Sequence, residues 1–318
     1  MKLVILDGAT INPGDLDWGC FSEFGEVTRY DRSLTEKDII ERIGDAQIIL
    51  LNKAPITENV LAACPNVRLI CILATGYNVV DCEAARKRGI PVCNVPDYGT
   101  AAVAQFTIGL LLELCHQIGA HSMSVHRGDW SRCPDFCYWY TPQMELKGKT
   151  LGIIGFGRIG RAVGRIAKAL GMEVIAHSRS QTAEGKAIAE YVDLDSLLNR
   201  SDVISLHCPL FPETEKIINQ TNIGKMKDGA ILLNTSRGPL IDEEAVSVAL
   251  ARGKIRGFAA DVVSKEPILP GNPLLTAPNC ILTPHMAWAP TESRQRIFDC
   301  TMENIRGFLN GSPRNVVN

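Results

Sequence analysis

The stretch Leu151–Gly160, with the sequence Leu-Gly-Ile-Ile-Gly-Phe-Gly-Arg-Ile-Gly, decides the fold. Its Gly155, Gly157 and Gly160 have the spacing G-x-G-x-x-G, after an apolar run that predicts a strand and before a pattern that predicts a helix over 158–170. There the first glycine permits a tight turn, the second lets the backbone approach a pyrophosphate, and the third lets helix and strand pack closely. We therefore predict a dinucleotide site instead of the alternative, a structural turn. The candidate cofactor-binding residues of this stretch are Gly155, Phe156, Gly157, Arg158, Ile159 and Gly160.

Apolar runs alternate with helical patterns along the whole chain. The predicted strands cover 2–7, 46–51, 68–73, 91–95, 150–155, 173–177, 203–207, 230–234, 257–261 and 280–283. The predicted helices cover about 101–126, 158–170, 242–251 and 291–309. Several strands are continuously apolar, as in parallel sheets that are covered on both faces. The pattern predicts a doubly wound α/β protein, and the length of 318 residues suggests two domains. We therefore expect two Rossmann-like, doubly wound parallel-sheet domains.

Composition excludes several classes of function. The 33 Lys and Arg residues nearly balance the 35 Asp and Glu residues, so charge predicts neither a nucleic-acid partner nor a membrane partner. The eleven cysteines are odd in number and form no C-x-x-C pair, which favours reduced thiols and a cytoplasmic location. No metal site is predicted, because His116, His121 and His126 are five residues apart and would point in different directions on a helix.

The end of the strand at 173–177 bears on the choice of nicotinamide cofactor. Ser178 and Arg179 occupy the positions at which an Asp or Glu would normally hydrogen-bond the ribose 2′-hydroxyl. A guanidinium there can pair with a 2′-phosphate, so we expect NADP in preference to NAD. The alternative is that Arg179 is a solvated loop cation over the adenine. Further candidate cofactor-binding residues follow other strands: Cys208, Pro209, Thr235 and Ser236.

Three charged or titratable side chains also follow predicted strands, namely Arg237, Glu266 and His285. Ligands bind at the carboxyl ends of strands in open α/β sheets. A guanidinium can hold a carboxylate and polarise a ketone, and a protonated imidazole can donate to an alkoxide. A carboxylate can orient that imidazole. Taken singly, each residue also has a structural interpretation, as a surface ion pair, a loop charge or a hydrogen-bonded histidine.

Four segments together resemble the D-isomer-specific 2-hydroxyacid dehydrogenase family: GFGRIG, NTSRGPLID, DVVSKEP and TPH. The resemblance covers essentially the whole chain. It implies that Arg237, Glu266 and His285 form the catalytic triad and that Asp261 contacts the nicotinamide carboxamide region. It also implies that the loop after the strand at 68–73 holds a substrate carboxylate. The candidate residues of that loop are Thr75, Gly76, Tyr77 and Asn78.

The resemblance is greatest to glycerate dehydrogenases, also called hydroxypyruvate reductases, through the segment Trp130–Trp139. It implies a homodimer in which Trp139 contacts the substrate of the partner; a plain interface or core aromatic is the alternative. The expected reaction reduces hydroxypyruvate to D-glycerate, with glyoxylate as a secondary substrate. The alternatives are a reductase of bulkier 2-oxo acids and a dinucleotide-sensing protein similar to co-repressors.

The predicted domain boundaries lie at two Pro-containing breaks, 95–100 and 283–290. Together with the resemblance, they predict a dinucleotide-binding domain over 99–287. The substrate-binding, flavodoxin-like domain would combine 1–98 with 288–318. Two chain crossings would then form a hinge over an interdomain cleft.

Overall fold

The computed structural model describes all residues, 1–318, and divides them into two compact α/β units. One unit comprises Met1–Gly99 and Trp288–Asn318, and the other comprises Thr100–Ala287. The strands are β1 Lys2–Ile5, β2 Glu26–Arg29, β3 Ile48–Leu51, β4 Leu69–Ile72, β5 Val92–Cys93, β6 Thr150–Ile154, β7 Glu173–His177, β8 Glu190–Tyr191, β9 Val203–Leu206, β10 Ala230–Asn234, β11 Ile255–Ala260 and β12 Cys280–Leu282.

Helices cover the sheets in both units. The α-helices are α1 Glu36–Ile43, α2 Glu58–Ala63, α3 Cys82–Lys87, α4 Thr100–His116, α5 Ile118–His126, α6 Arg158–Ala169, α7 Ala183–Lys186, α8 Leu194–Arg200, α9 Gln220–Lys225, α10 Glu243–Ala251 and α11 Thr291–Leu309.

The first unit is built on a five-stranded parallel sheet with the order β2-β1-β3-β4-β5. This order is typical of flavodoxin-like folds. Apolar side chains fill a core on each face of the sheet. On one face, α11 contributes Ile297, Phe298 and Ile305, so the C-terminal helix completes the unit that begins at the N-terminus.

The second unit is built on a seven-stranded parallel sheet with the order β12-β11-β10-β9-β6-β7-β8. The order reverses direction at β6, as in Rossmann folds, and all strands end at the same edge. The buried strand β6 and the helix α4 share one core. The two doubly wound parallel sheets confirm the predicted fold class.

The prediction of one helix over about 101–126 is wrong. Gln117 adopts a left-handed backbone conformation, with φ of 49°, and its N–H donates to the carbonyl oxygen of Glu113 at 2.7 Å. Glu113 also accepts from the N–H of Gly119 through its side chain, which serves the start of α5. The helices α4 and α5 are therefore bent by 59° at this break. Taken alone, no helix has both the length and the apolar character needed to cross a membrane; the bent pair α4 and α5 meets those criteria jointly.

Two strands were not predicted, β2 and β8, and both lie at sheet edges. The strand β2 is mostly exposed and β8 has only two residues, so neither has the apolar run that marks a buried strand.

Candidate functional site

The glycine turn after β6 lies against the end of β9. Gly155 has a φ of +91°, and a Cβ there would lie 2.3 Å from the backbone nitrogen of Cys208. A Cβ on Gly160 would lie 2.4 Å from the carbonyl oxygen of Gly155. Neither position has room for a side chain, so both glycines are needed for the close approach of strand, turn and helix.

The second glycine of the turn has a different environment. Gly157 is the residue before α6, and no atom lies within 4 Å of a Cβ built on it. The space therefore lies open at the N-terminus of a twelve-residue helix, where backbone N–H groups favour a phosphate. This geometry fits a dinucleotide pyrophosphate. Gly155, Gly157 and Gly160 thus form a close turn with open space at the start of α6.

Ser178 and Arg179 directly follow β7, as predicted. The Cζ atom of Arg179 lies 4.7 Å from the ring centroid of Phe211, in the loop after β9. In the same loop, burial raises the pKa of the Cys208 thiol to about 11, against an opposing effect of the Arg179 charge. Cys208 is therefore a neutral thiol at neutral pH, and Arg179 lies near it at the carboxyl edge of the sheet.

His207 is a residue of this edge that the sequence did not predict to be part of the site. Its N–H donates to the carbonyl oxygen of Ile154 at 2.7 Å, and its ring Nε2 lies 2.8 Å from the hydroxyl of Ser205. Burial lowers the pKa of His207 to about 4, so the imidazole is neutral at neutral pH.

The loop after β10 is shaped by a buried asparagine. The side-chain amide of Asn234 donates to the carbonyl oxygen of Arg237 at 2.9 Å, and its oxygen accepts from the N–H of Ser236 at 3.1 Å. The hydroxyl of Ser236 donates to the carbonyl oxygen of Cys208 at 2.6 Å, and the hydroxyl of Thr235 lies 2.8 Å from that of Thr107. Thr235 and Ser236 therefore use their side chains to hold the loop that carries Arg237.

Glu266 and His285 form a direct pair. The Oε2 atom of Glu266 lies 2.6 Å from Nδ1 of His285, and the two side chains are 38% and 36% exposed. A carboxylate only accepts, so Nδ1 is the donor of this bond. This bond orients the imidazole ring of His285. The structure thus brings together two of the three predicted triad residues.

Asp261 holds the turn that carries His285. Its side chain is buried, at 1% exposure, and its two carboxylate oxygens accept from the N–H groups of Met286 and Ala287 and from the hydroxyl of Thr283 at 2.7–2.9 Å. His285 itself has a φ of 54°. The carboxylate of Asp261 therefore maintains an unfavourable backbone conformation, while the predicted contact with the nicotinamide stays a prediction.

Neighbouring loops of this edge are also tied to one another. A Cβ on Gly238 would lie 1.9 Å from the carbonyl carbon of Val263, so the loops after β10 and β11 meet there without a side chain. Glu243, at the start of α10, accepts from the N–H of Ser264 at 2.7 Å and from its hydroxyl at 2.6 Å. Because Ser264 lies two residues before Glu266, the contact with Glu243 orients the segment that carries Glu266.

In the first unit, Thr75–Asn78 form an exposed loop after β4. The hydroxyl of Thr75 donates to the carbonyl oxygen of Val95 at 2.8 Å, and the carbonyl oxygen of Thr75 accepts from Asn94 at 2.7 Å. The backbone N–H groups of the next three residues donate to no acceptor in the chain. They are therefore available to an anionic ligand.

Trp139 lies in the second unit, in the segment between α5 and β6, and is 64% exposed. Pro209 is also exposed, and its carbonyl oxygen accepts from the hydroxyl of Thr214. Neither residue belongs to the Glu266–His285 pair.

A groove of about 790 Å³ lies at the opposite, amino edge of the seven-stranded sheet. Its lining includes Lys149, Asp202, Ala230 and Ile255, at or before the first residues of strands, and none of the predicted site residues. The candidate site therefore does not coincide with this depression.

Comparison with known proteins agrees with this geometry. Residues 108–287 match the family described as "D-isomer specific 2-hydroxyacid dehydrogenase, NAD binding domain". A hydroxypyruvate reductase of Blautia hydrogenotrophica is 56% identical over 100% of both chains. A glycerate dehydrogenase of Methylorubrum extorquens is 40% identical over 99% of this chain and 98% of its own.

Solved structures are similar over the whole chain. A Thermus thermophilus protein has a TM-score of 0.87 and 34% identity, with 100% of both chains covered. An acyclic imino acid reductase, in complex with NADPH and D-Arg, has a TM-score of 0.85 and 29% identity, again over 100% of both chains. By sequence and by structure, this chain belongs to the D-isomer specific 2-hydroxyacid dehydrogenase family.

Proposed function

We propose that this protein is a nicotinamide-dependent reductase of a small 2-oxo acid, and that it converts hydroxypyruvate to D-glycerate. The observation that carries the proposal is the bond of 2.6 Å between Glu266 and His285 at the edge where the glycine turn lies. Such a pair supplies an oriented proton donor for a developing alkoxide.

The chain's own residues have distinct tasks in this reaction. A nicotinamide dinucleotide, when bound, would supply the hydride for this reduction. Arg237 pairs with the substrate carboxylate and with the carbonyl oxygen, on which negative charge develops. His285 donates a proton from Nε2 to that oxygen, which completes the hydroxyl group. Glu266 accepts from Nδ1 and stabilises the positive charge of the ring before the transfer.

The substrate assignment rests on relatives and on the loop after β4. The relative that is 56% identical is a hydroxypyruvate reductase, and the one that is 40% identical is a glycerate dehydrogenase. Several relatives at 36–40% identity are glyoxylate reductases, which supports glyoxylate as a secondary substrate. The unpaired N–H groups of Gly76, Tyr77 and Asn78, with Thr75 bracing the loop, are suited to a carboxylate. Accordingly, the unit that contains this loop would bind substrate, and Thr100–Ala287 would bind the dinucleotide.

For the cofactor, we propose a preference for NADP over NAD. Arg179 follows β7 where a 2′-phosphate would lie, and the segment Ser178–Gln181 contains no carboxylate that would repel it. The similar imino acid reductase is in complex with NADPH. Cys208, Pro209, Thr235 and Ser236, together with the glycine turn, would line the remainder of the cofactor site.

Quaternary structure and location are further parts of the proposal. Large apolar side chains are exposed along residues 118–140, including Met123, Phe136 and Trp139, which supports a homodimer that covers this segment. Trp139 would then contact the substrate of the partner. All eleven cysteines are free thiols, which supports a reducing, cytoplasmic compartment.

A steady-state assay with hydroxypyruvate, NADPH and NADH tests the proposal. We expect oxidation of both cofactors with a larger kcat/KM for NADPH. A substrate series that extends to branched 2-oxo acids is the control for substrate size, and we expect turnover to fall as the side chain grows. Absence of turnover with every 2-oxo acid, while the nucleotide still binds, would refute a reductase function.

A further inference from the structure

An exposed phenylalanine contacts the arginine that follows β7. Phe211 is 38% exposed, and its ring centroid lies 4.7 Å from Cζ of Arg179. Arg179 belongs to the loop after β7 and Phe211 to the loop after β9, and these two strands lie on either side of β6. The contact therefore bridges the two loops that flank the glycine turn.

We propose that Phe211 is a positioning residue for cofactor selection, which holds the Arg179 guanidinium ready to pair with a 2′-phosphate. This inference rests on the proposed function, because it concerns the dinucleotide of that reaction. Phe211 lies outside the glycine turn and outside the end of β7, where residues that contact the ribose are normally found.

The two interactions of Arg179 are compatible in their geometry. A guanidinium interacts with an aromatic ring through its flat face, whereas its N–H donors point outward in the plane of the group. Phe211 therefore leaves the donor edge of Arg179 available for phosphate oxygens. A flexible side chain that is already held in place loses less freedom when it binds.

The backbone of Phe211 is itself fixed by a short turn. Its N–H donates to the hydroxyl oxygen of Thr214 at 2.8 Å, and that hydroxyl donates to the carbonyl oxygen of Pro209 at 2.8 Å. The carbonyl oxygen of Phe211 accepts from the N–H groups of Thr214 and Glu215 at 3.0 and 2.9 Å. The ring is thus a fixed surface for the longer and more mobile arginine.

The acidic residue nearest along the chain is occupied elsewhere. Glu184 pairs with Arg161 at 3.2 Å and with Arg165. Glu184 therefore neutralises arginines of α6. It does not pair with Arg179.

Calorimetry with two adenosine nucleotides tests this inference. Adenosine 2′,5′-bisphosphate carries the 2′-phosphate, and adenosine 5′-monophosphate is the matched ligand without it. We expect Phe211→Leu to raise the Kd of the bisphosphate about threefold, as expected for an exposed cation–π contact, and to leave that of the monophosphate nearly unchanged. Arg179→Gln should raise the Kd of the bisphosphate at least about tenfold.

The double variant separates positioning from direct contact. If Phe211 acts through Arg179, Phe211→Leu has no further effect in the Arg179→Gln background. Thr214→Val, which keeps the ring but loosens its turn, should change affinity in the same direction as Phe211→Leu. Equal weakening of both nucleotides, an undiminished effect in the double variant, or equal binding of both nucleotides by the parent would each overturn the inference. Because neither nucleotide contains nicotinamide, failure of hydroxypyruvate reduction refutes the proposed function without changing this result.

Discussion

Replacement of His207 by asparagine should make the folding stability of the second unit much less dependent on pH below about 6.5. Burial lowers the pKa of His207 from 6.5 to about 4 in the folded protein. In the unfolded chain, an imidazole titrates near its ordinary value of about 6.5. Between these two pKa values the unfolded chain binds more protons, so the parent loses stability as the pH falls from about 6.5 towards 4. Above about 6.5 the contribution is fully present.

The size of the effect follows from the difference in pKa. Each pKa unit corresponds to about 1.4 kcal/mol, so the contribution is about 3 kcal/mol in total and about 2 kcal/mol is lost by about pH 5. His207 retains some exposed surface, and solvent screening makes these values upper limits.

Guanidinium unfolding followed by circular dichroism at about pH 7.5 and about pH 5 provides the measurement. Hydrogen exchange of the amides of β6 and β9 identifies the transition of the second unit, since the chain has two units. Relative to the parent, His207→Asn should gain about 2 kcal/mol on going to the lower pH. His116→Asn, at the half-buried C-terminal end of α4 and outside the segment 118–140, is the matched control and should follow the parent. Equal pH dependence of the parent and His207→Asn would refute the reasoning.

Three further predictions concern the site. His285→Gln removes the proton donor and should lower kcat by about 10²–10⁴ while the Kd of the nucleotide stays within about twofold; a parallel loss of both would contradict this role. Gly157→Ala should weaken nucleotide binding without a change in Tm, because its Cβ enters open space. Gly160→Ala should instead lower the free energy of unfolding by about 1–3 kcal/mol, because its Cβ would lie 2.4 Å from the carbonyl oxygen of Gly155. Thermal unfolding with and without nucleotide distinguishes the two. Asp261→Asn places a side-chain amide N–H against backbone N–H donors. It should lower the free energy of unfolding by about 1–3 kcal/mol and also lower kcat. Unchanged stability and kcat would show that the turn does not depend on the carboxylate.

Local pattern was sufficient for the elements with a clear apolar run or an amphipathic helical pattern. The predicted strands at 173–177 and 230–234 and the helix at 291–309 coincide with β7, β10 and α11. In the central strands, burial on both faces imposes apolar residues at successive positions, as in β10. In α11, the apolar residues recur at helical spacing instead. Both patterns are visible without any knowledge of partners. Edge strands such as β2 are stabilised chiefly by pairing with a neighbour, so they leave no comparable pattern.

The amino-acid sequence by itself determined the two parallel-sheet units, the glycine turn and the candidates Arg237, Glu266 and His285. These depend on residue type and on spacing along the chain. Only the tertiary structure decided which groups meet: the pairing of Glu266 with His285, the burial that keeps His207 neutral and the contact of Arg179 with Phe211. It also showed that Asp261 serves the turn at 283–287. The reason is physical, because each such contact joins loops from different strands, and its distance depends on how neighbouring strands align at the carboxyl edge of the sheet.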